Sequence, residues 1–281
     1  MKTILSLFIT SIFLLAGCST VLPDEPEPSF INLHGMTILE RIAVPEGYER
    51  VPAEDGSLAQ FLRNYELKPD DEPVLLYDGR KKGNQRAHVA VFKVPIENED
   101  LQQCADSVMR VFAEYYWHSG QHEKIAFRFT DGFLCEYSKW KQGYRVKFSD
   151  NGTSWQKSAG YDESYETFKK YLRIVFSYAG TYSMDEYESE TIPLSELEVG
   201  DVILKGGSPG HVVMVVDVCK NFDGKKAFLL AQGYMPAQEF HIISNPEHPD
   251  DPWYYEDEMT FPLRTAEYTF ADAEMVKRLI Y

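Results

Sequence analysis

The chain has 281 residues, of which 44% are hydrophobic and 14% aromatic, enough for a packed core and against intrinsic disorder. Its formal net charge is −16 at pH 7. A surface that acidic repels phosphate backbones, which excludes nucleic acid as a partner.

The first element is a leader. After Lys2 an apolar run covers 4–15 and ends at Leu15-Ala16-Gly17-Cys18. The run is too short for a membrane-spanning helix and has the plan of a signal peptide over 1–17. Its last four residues match the bacterial lipobox, in which the cysteine is acylated and becomes the mature N-terminus; Cys18 is the expected lipidation site. Residues 18–31, containing STVLPDEPEPS, read as an extended tether rich in proline and acid. Ser19 rather than Asp after the cysteine points to the outer membrane of a diderm bacterium. Loss of 1–17 removes only Lys2 among charged side chains, so the mature chain is one unit more negative. Cys104, Cys135 and Cys219 then remain, an odd number, so an oxidising compartment leaves at least one thiol unpaired within the chain. None sits in a C-x-x-C pair, so no zinc site is expected.

Residues 32–95 read as a small α+β lobe. Strands are expected at 37–42, 74–77 and 88–94, and Ser57-Leu58-Ala59-Gln60 opens a helix that runs to 64. Residues 96–281 form the main domain. LQQCADSVMRVFAEYYW places Leu101, Ala105, Val108, Phe112 and Tyr115 at helical spacing, with Asp100 as the expected cap. Strand-like IAFRF and YRVKF follow. A second amphipathic helix, ESYETFKKYLRIVFSYAG, is expected to stop at Gly180. The remainder reads as β at 201–204, 211–218, 227–232 and 238–243, then an acidic loop from 245. The runs 211–218 and 227–232 are apolar at consecutive positions, which predicts strands buried on both faces, hairpinned through Asn221-Phe222-Asp223-Gly224.

Within that order lie the parts of thiol chemistry. Cys104 falls in the first turn of a helix, where the dipole and free N–H groups favour a thiolate. His211 opens an apolar strand that needs no imidazole, and Gln232 interrupts AFLLAQ where a core strand would take an aliphatic. A histidine can move the proton of a thiol, and a third polar group can fix its tautomer. An imidazolium facing the helix would lower the thiol pKa, so Cys104 is expected to alkylate below neutral pH and to lose that on His211→Ala.

PLSELEVGDVILKGGSPGHVVMVVDV resembles the L-x-x-G-D-V … G-H-V-x-x-x-V segment of NlpC/P60 and CHAP peptidoglycan amidases, which are papain-like. The resemblance implies an α+β, papain-like (NlpC/P60-like) antiparallel sheet with packed helices, here with the N-terminal lobe added. It also implies a cysteine amidase or endopeptidase acting on peptidoglycan peptides or a related acyl substrate. Cys104 would be nucleophile, His211 general base and Gln232 orienter, with no metal and no cofactor. The run Gln103-Cys104-Ala105-Asp106 departs from the Asp/Asn-Cys-Ser-Gly usual in those enzymes, and the interval to His211 is longer. Over nearly all the mature chain, LQQCADSVMRVFAEYYW, GDVILKGGSPGHVVMVVDV and LLAQGYMPAQ also resemble a domain-of-unknown-function family of bacterial lipoproteins. The competing expectation is a non-catalytic envelope lipoprotein that binds glycan, peptide or protein through the same cleft.

Plainer readings stand beside these. Cys104 lies on the helix's apolar stripe and could be an inert core thiol; Cys135 and Cys219 read as structural. Gln232 could be a core amide bonded to backbone. His118 and His122 read as loop histidines rather than a metal pair, and His241 as a strand residue facing outward. KGGSPG lacks the terminal Lys-Ser/Thr of a P-loop and reads as a turn.

Overall fold

The computed structural model describes residues 29–281, so the expected signal peptide over 1–17, Cys18 and nearly all of the expected tether over 18–31 lie outside the described residues. In chain order the elements are α1 (Ile38–Arg41), β1 (Tyr48–Arg50), α2 (Leu58–Asn64), β2 (His88–Val91), α3 (Cys104–His118), β3 (Ala126–Arg128), β4 (Leu134–Glu136) and α4 (Tyr137–Lys141). Next come β5 (Tyr144–Ser149), β6 (Gly152–Lys157), α5 (Tyr165–Tyr178), α6 (Thr181–Tyr187), β7 (Ser189–Thr191), β8 (Val202–Lys205) and β9 (His211–Asn221). The chain closes with β10 (Lys226–Gln232), β11 (His241–Ile243), β12 (Tyr254–Tyr255), β13 (Leu263–Arg264), β14 (Thr269–Phe270) and β15 (Val276–Leu279). The class is mixed α+β. None of the described helices is long and apolar enough to cross a membrane.

One antiparallel sheet organises the rest. Its order is β2-β11-β10-β9-β8-β15-β7, with β1 added to β9 and β12 to β10. The β9–β10 hairpin turns through Asn221 and Gly224, as its sequence predicts, and Gly224 takes φ +81°, a conformation glycine adopts without strain. Val212 through Val216 are fully buried. Val212, Met214 and Val216 face a core built with α3 and α5, while Val213 and Val215 face a second core built with Tyr254, Leu263 and Phe270. Each such side chain stabilises the fold by about 1.5–3 kcal/mol relative to exposure.

Segment 32–95 feeds the same sheet: β1 pairs with the far end of β9, and β2 with β11. Within it, 37–42 is not a strand. The Thr37 hydroxyl accepts the Glu40 N–H and caps a single helical turn, α1, so local capping wins over β-propensity. Residues 74–77 make only single bridges, Leu75 to Lys81 and Leu76 to Gln238. Ser57 caps α2 as expected, accepting the Gln60 N–H at 3.2 Å. α5 stops where its sequence predicts, with Ala179 as C-cap and Gly180 at C′; Gly180 also leads into α6, a helix the sequence pattern does not reveal. The acidic tail is likewise not only loop, because β15 slots between β8 and β7.

One buried charge ties segment 32–95 to the sheet. Asp217, fully buried in β9, accepts from Arg50 Nε and Arg63 Nε, each at 2.7 Å, and from the Val218 N–H at 2.9 Å. Removing one member of a buried ion group strands the others in low dielectric. Asp217→Ala is therefore expected to destabilise the protein by about 3 kcal/mol or more in urea unfolding. A loss below about 1 kcal/mol, the scale of an exposed pair, would refute the clamp.

Candidate functional site

The site gathers where β9 begins, β10 ends and α3 starts. Cys104 is the first residue of α3, with Gln103 as its N-cap. The Asp106 carboxylate accepts the Gln103 N–H at 3.0 Å and so satisfies one orphan donor of the helix end. Asp100, the cap expected from sequence, serves elsewhere. Its Oδ1 accepts the Ala237 N–H at 2.7 Å and Gln103 Nε2 at 3.2 Å, tying the loop after β10 to the front of α3.

Gly233, the residue after β10, makes the approach possible. A Cβ there would stand 2.1 Å from Ser107 Oγ and 2.9 Å from the Gln103 carbonyl oxygen, so only glycine lets the first turn of α3 lie against the end of β10. Cys104 and Val212, the residue after His211, thereby lie in the same core.

Electrostatics run against the thiolate expected from sequence. Burial, with a smaller contribution from nearby Asp106, pushes the Cys104 thiol up to about 11. The N–H groups of Ala105, Val212 and Cys104 itself pull it down but do not win. Burial outweighs the helix dipole because Cys104 is only 8% exposed, and desolvation of an anion is the larger effect. His211 moves the other way. Burial lowers it to about 4, and its bond to Gln232 opposes that shift. Thiol and imidazole are both neutral at pH 7, and no imidazolium is present to activate Cys104.

His211 and Gln232 meet as expected: His211 Nε2 lies 2.8 Å from Gln232 Oε1. The imidazole is 2% exposed and stands among Tyr234, Tyr268 and Phe270, with ring centroids at 4.7, 4.8 and 6.0 Å. Phe270 belongs to the second core, whereas Cys104 belongs to the first, so the two groups reach the end of β9 from different faces. Among the described residues no hydrogen bond joins Cys104 to His211.

Three participants have no signal in the sequence. Gln232 Nε2 donates to Glu267 Oε2 at 2.8 Å, Glu267 pairs with Lys82, and Lys82 Nζ lies 3.2 Å from His241 Nε2. Glu267 comes from what reads as an acidic loop and Lys82 from a turn; only the fold joins them. His241, expected to face outward, is fully buried and bonds the Glu239 carbonyl through Nδ1 at 2.8 Å. It points inward because β11 is an interior strand between β10 and β2, with no solvent face at that position. Cys135 and Cys219 are free and buried, with burial raising both thiols. His122 stacks on Trp117 at 4.5 Å, and exposed His118 lies 3.6 Å from Glu114.

A family profile matches residues 38–277, which takes in every element from α1 into β15. The chain belongs to the DUF4846 family, a domain of unknown function. Comparison with curated proteins returns no match, and neither does comparison with solved structures. The DUF4846 domain therefore spans both segment 32–95 and the sheet it joins, including Lys82, Cys104, His211, Gln232 and Glu267.

The raised thiol fixes a pH profile. Below about pH 11 Cys104 stays protonated, so iodoacetamide labelling of the native protein is expected to be slow at neutral pH and to climb only in the alkaline range. A labelling midpoint below pH 8, mapped to Cys104 by peptide mass, would overturn this assignment.

Proposed function

We propose that this DUF4846 protein is an envelope lipoprotein with a papain-like, NlpC/P60-like arrangement and hydrolyses an amide bond in peptidoglycan peptides or a related acyl substrate. The observation that carries the reading is the His211–Gln232 bond at 2.8 Å at the start of β9, where the next residue, Val212, shares a core with Cys104. Gln232 Oε1 can only accept, so His211 Nε2 carries the proton and Nδ1 is left as the base. The reaction requires a rearrangement that brings Cys104 Sγ within reach of His211 Nδ1; Sγ then attacks the carbonyl carbon while its proton passes to Nδ1. The tetrahedral oxyanion collects N–H donors at the start of α3, the Cys104 N–H among them. Collapse breaks the C–N bond, the amine leaves with the proton from His211, and water then hydrolyses the thioester with His211 again as base. Because both groups are neutral at rest, proton transfer and attack on the carbonyl occur together rather than through a standing thiolate–imidazolium pair.

A second reading, a non-catalytic envelope protein that binds glycan, peptide or protein, draws on other observations. Cys104 and His211 are 8% and 2% exposed and are not bonded to each other. On the hydrolase reading, substrate enters only after Tyr234, the half-exposed aromatic lying 4.7 Å from His211, moves aside.

Turnover of muropeptides by purified protein, followed by mass spectrometry, separates the readings. The hydrolase is expected to release amine and free carboxylate, with activity lost in Cys104→Ala and reduced about 10²–10⁴-fold in His211→Ala. Binding of the same fragments without turnover, unchanged in Cys104→Ala, would select the binding protein instead.

Envelope location is part of the same proposal and rests on the sequence Leu15-Ala16-Gly17-Cys18. Cys18→Ala is expected to move the protein from the membrane fraction to the soluble fraction without altering its unfolding curve. A Cys18→Ala protein that is processed yet still sediments with membranes would remove the lipid anchor from the proposal.

A further inference from the structure

Behind His211 and Gln232 runs a buried polar chain that the proposed triad does not use. Its members come from four places in the sequence. Lys82 precedes β2, Gln232 ends β10, His241 starts β11, and Glu267 sits in the turn between β13 and β14. Lys82 is 6% exposed, and Gln232 and His241 are fully buried.

Hydrogen-bond chemistry fixes the direction of every bond in it. The Glu239 carbonyl can only accept, so His241 Nδ1 carries its proton and Nε2 is an acceptor, facing Lys82 Nζ at 3.2 Å. Lys82 can only donate, and gives a second proton to Glu267 Oε2. The same oxygen accepts Gln232 Nε2 at 2.8 Å, while Asn84 Nδ2 approaches Glu267 Oε1 at 3.5 Å. With its amide nitrogen committed to a carboxylate, Gln232 must turn Oε1 to His211.

We infer that Glu267, held in place by Lys82, is a positioning residue that locks the Gln232 amide and through it sets His211 in the Nε2–H tautomer. The importance of this for catalysis rests on the proposed Cys104–His211 chemistry; the tautomer itself does not. A glutamine alone can offer His211 either its oxygen or its nitrogen. If the nitrogen turned toward the ring, Nε2 would become the acceptor and Nδ1 would carry the proton. His211 could then not take a proton from the cysteine. Glu267 removes that choice, because a carboxylate beside the amide tolerates only its N–H side. Lys82 holds the carboxylate in place by donating to the same Oε2 that accepts the Gln232 amide.

Long-range 1H–15N spectra of 15N-histidine-labelled full-length protein read the tautomer directly, with His211 assigned by its loss in His211→Asn. The wild type is expected to show His211 as Nε2–H. Glu267→Ala is expected to bring in the Nδ1–H form, while Glu267→Gln, which still places an acceptor oxygen against Lys82 and Gln232, restores Nε2–H. If Glu267→Ala fails to fold because it strands the Lys82 charge, the double variant Lys82→Met/Glu267→Ala removes both charges together and is expected to show the same loss of tautomer. A wild-type Nδ1–H form, or a His211 tautomer unmoved in the folded Ala variants, overturns the inference. Muropeptide turnover and its dependence on Cys104 decide the hydrolase separately, so either can fail without the other.

Discussion

Strand β9 must be covered on both faces, and that requirement dictates most of the molecule. Five consecutive fully buried side chains, Val212 to Val216, leave no solvent face to the middle of the sheet. One side receives α3 and α5; the other is closed by the C-terminal segment with Tyr254, Leu263 and Phe270. The last part of the chain is therefore structural rather than a loose tail, and it returns to the sheet as β15. The same segment delivers Glu267 to the candidate site.

Covering β9 also sets the chemistry at its N-terminal end. Burial raises the Cys104 thiol to about 11 and lowers His211 to about 4, so each is held in its neutral form by the same cause. Asp106, buried beside the thiol, is pushed up to about 8 by desolvation, which adds no positive charge to help the thiolate. The charges that persist nearby lie one step further out, in Lys82 and Glu267, where each has a partner. The site is thus a set of neutral, directed hydrogen bonds backed by a buried ion pair. Asp217 with Arg50 and Arg63 follows the same rule at the other end of β9: a buried charge is accompanied by opposite charge and by a backbone donor.

Much of this was legible in the residues. The unbroken apolar runs predicted the β9–β10 hairpin, Ser57 the start of α2, and the period of Ala105, Val108 and Phe112 the body of α3. His211 and Gln232 stood out because each violates an otherwise apolar strand, and they meet at 2.8 Å. Residue type against local pattern was informative there, since a polar group in a core strand needs a partner. The helix start was less legible. Asp100 has the look of a cap, yet Asp106 serves the helix end while Asp100 reaches across to Ala237, a contact spanning more than a hundred residues.

The sequence by itself determined the polarity pattern. That pattern comprises an acidic chain, a cysteine in the first turn of a helix, and a central hairpin apolar on both faces. It could not determine the ionisation of Cys104, because helix position favours thiolate and burial opposes it, and only the packed structure reveals how little water remains. Nor could it reveal Lys82, His241 and Glu267 as partners of Gln232. Each sits in an ordinary local context, and their meeting depends on β11 being an interior strand and on the β13–β14 turn folding over the sheet. Spacing along the chain encodes local elements. Which distant polar groups share one dry space is decided by how the layers close over β9.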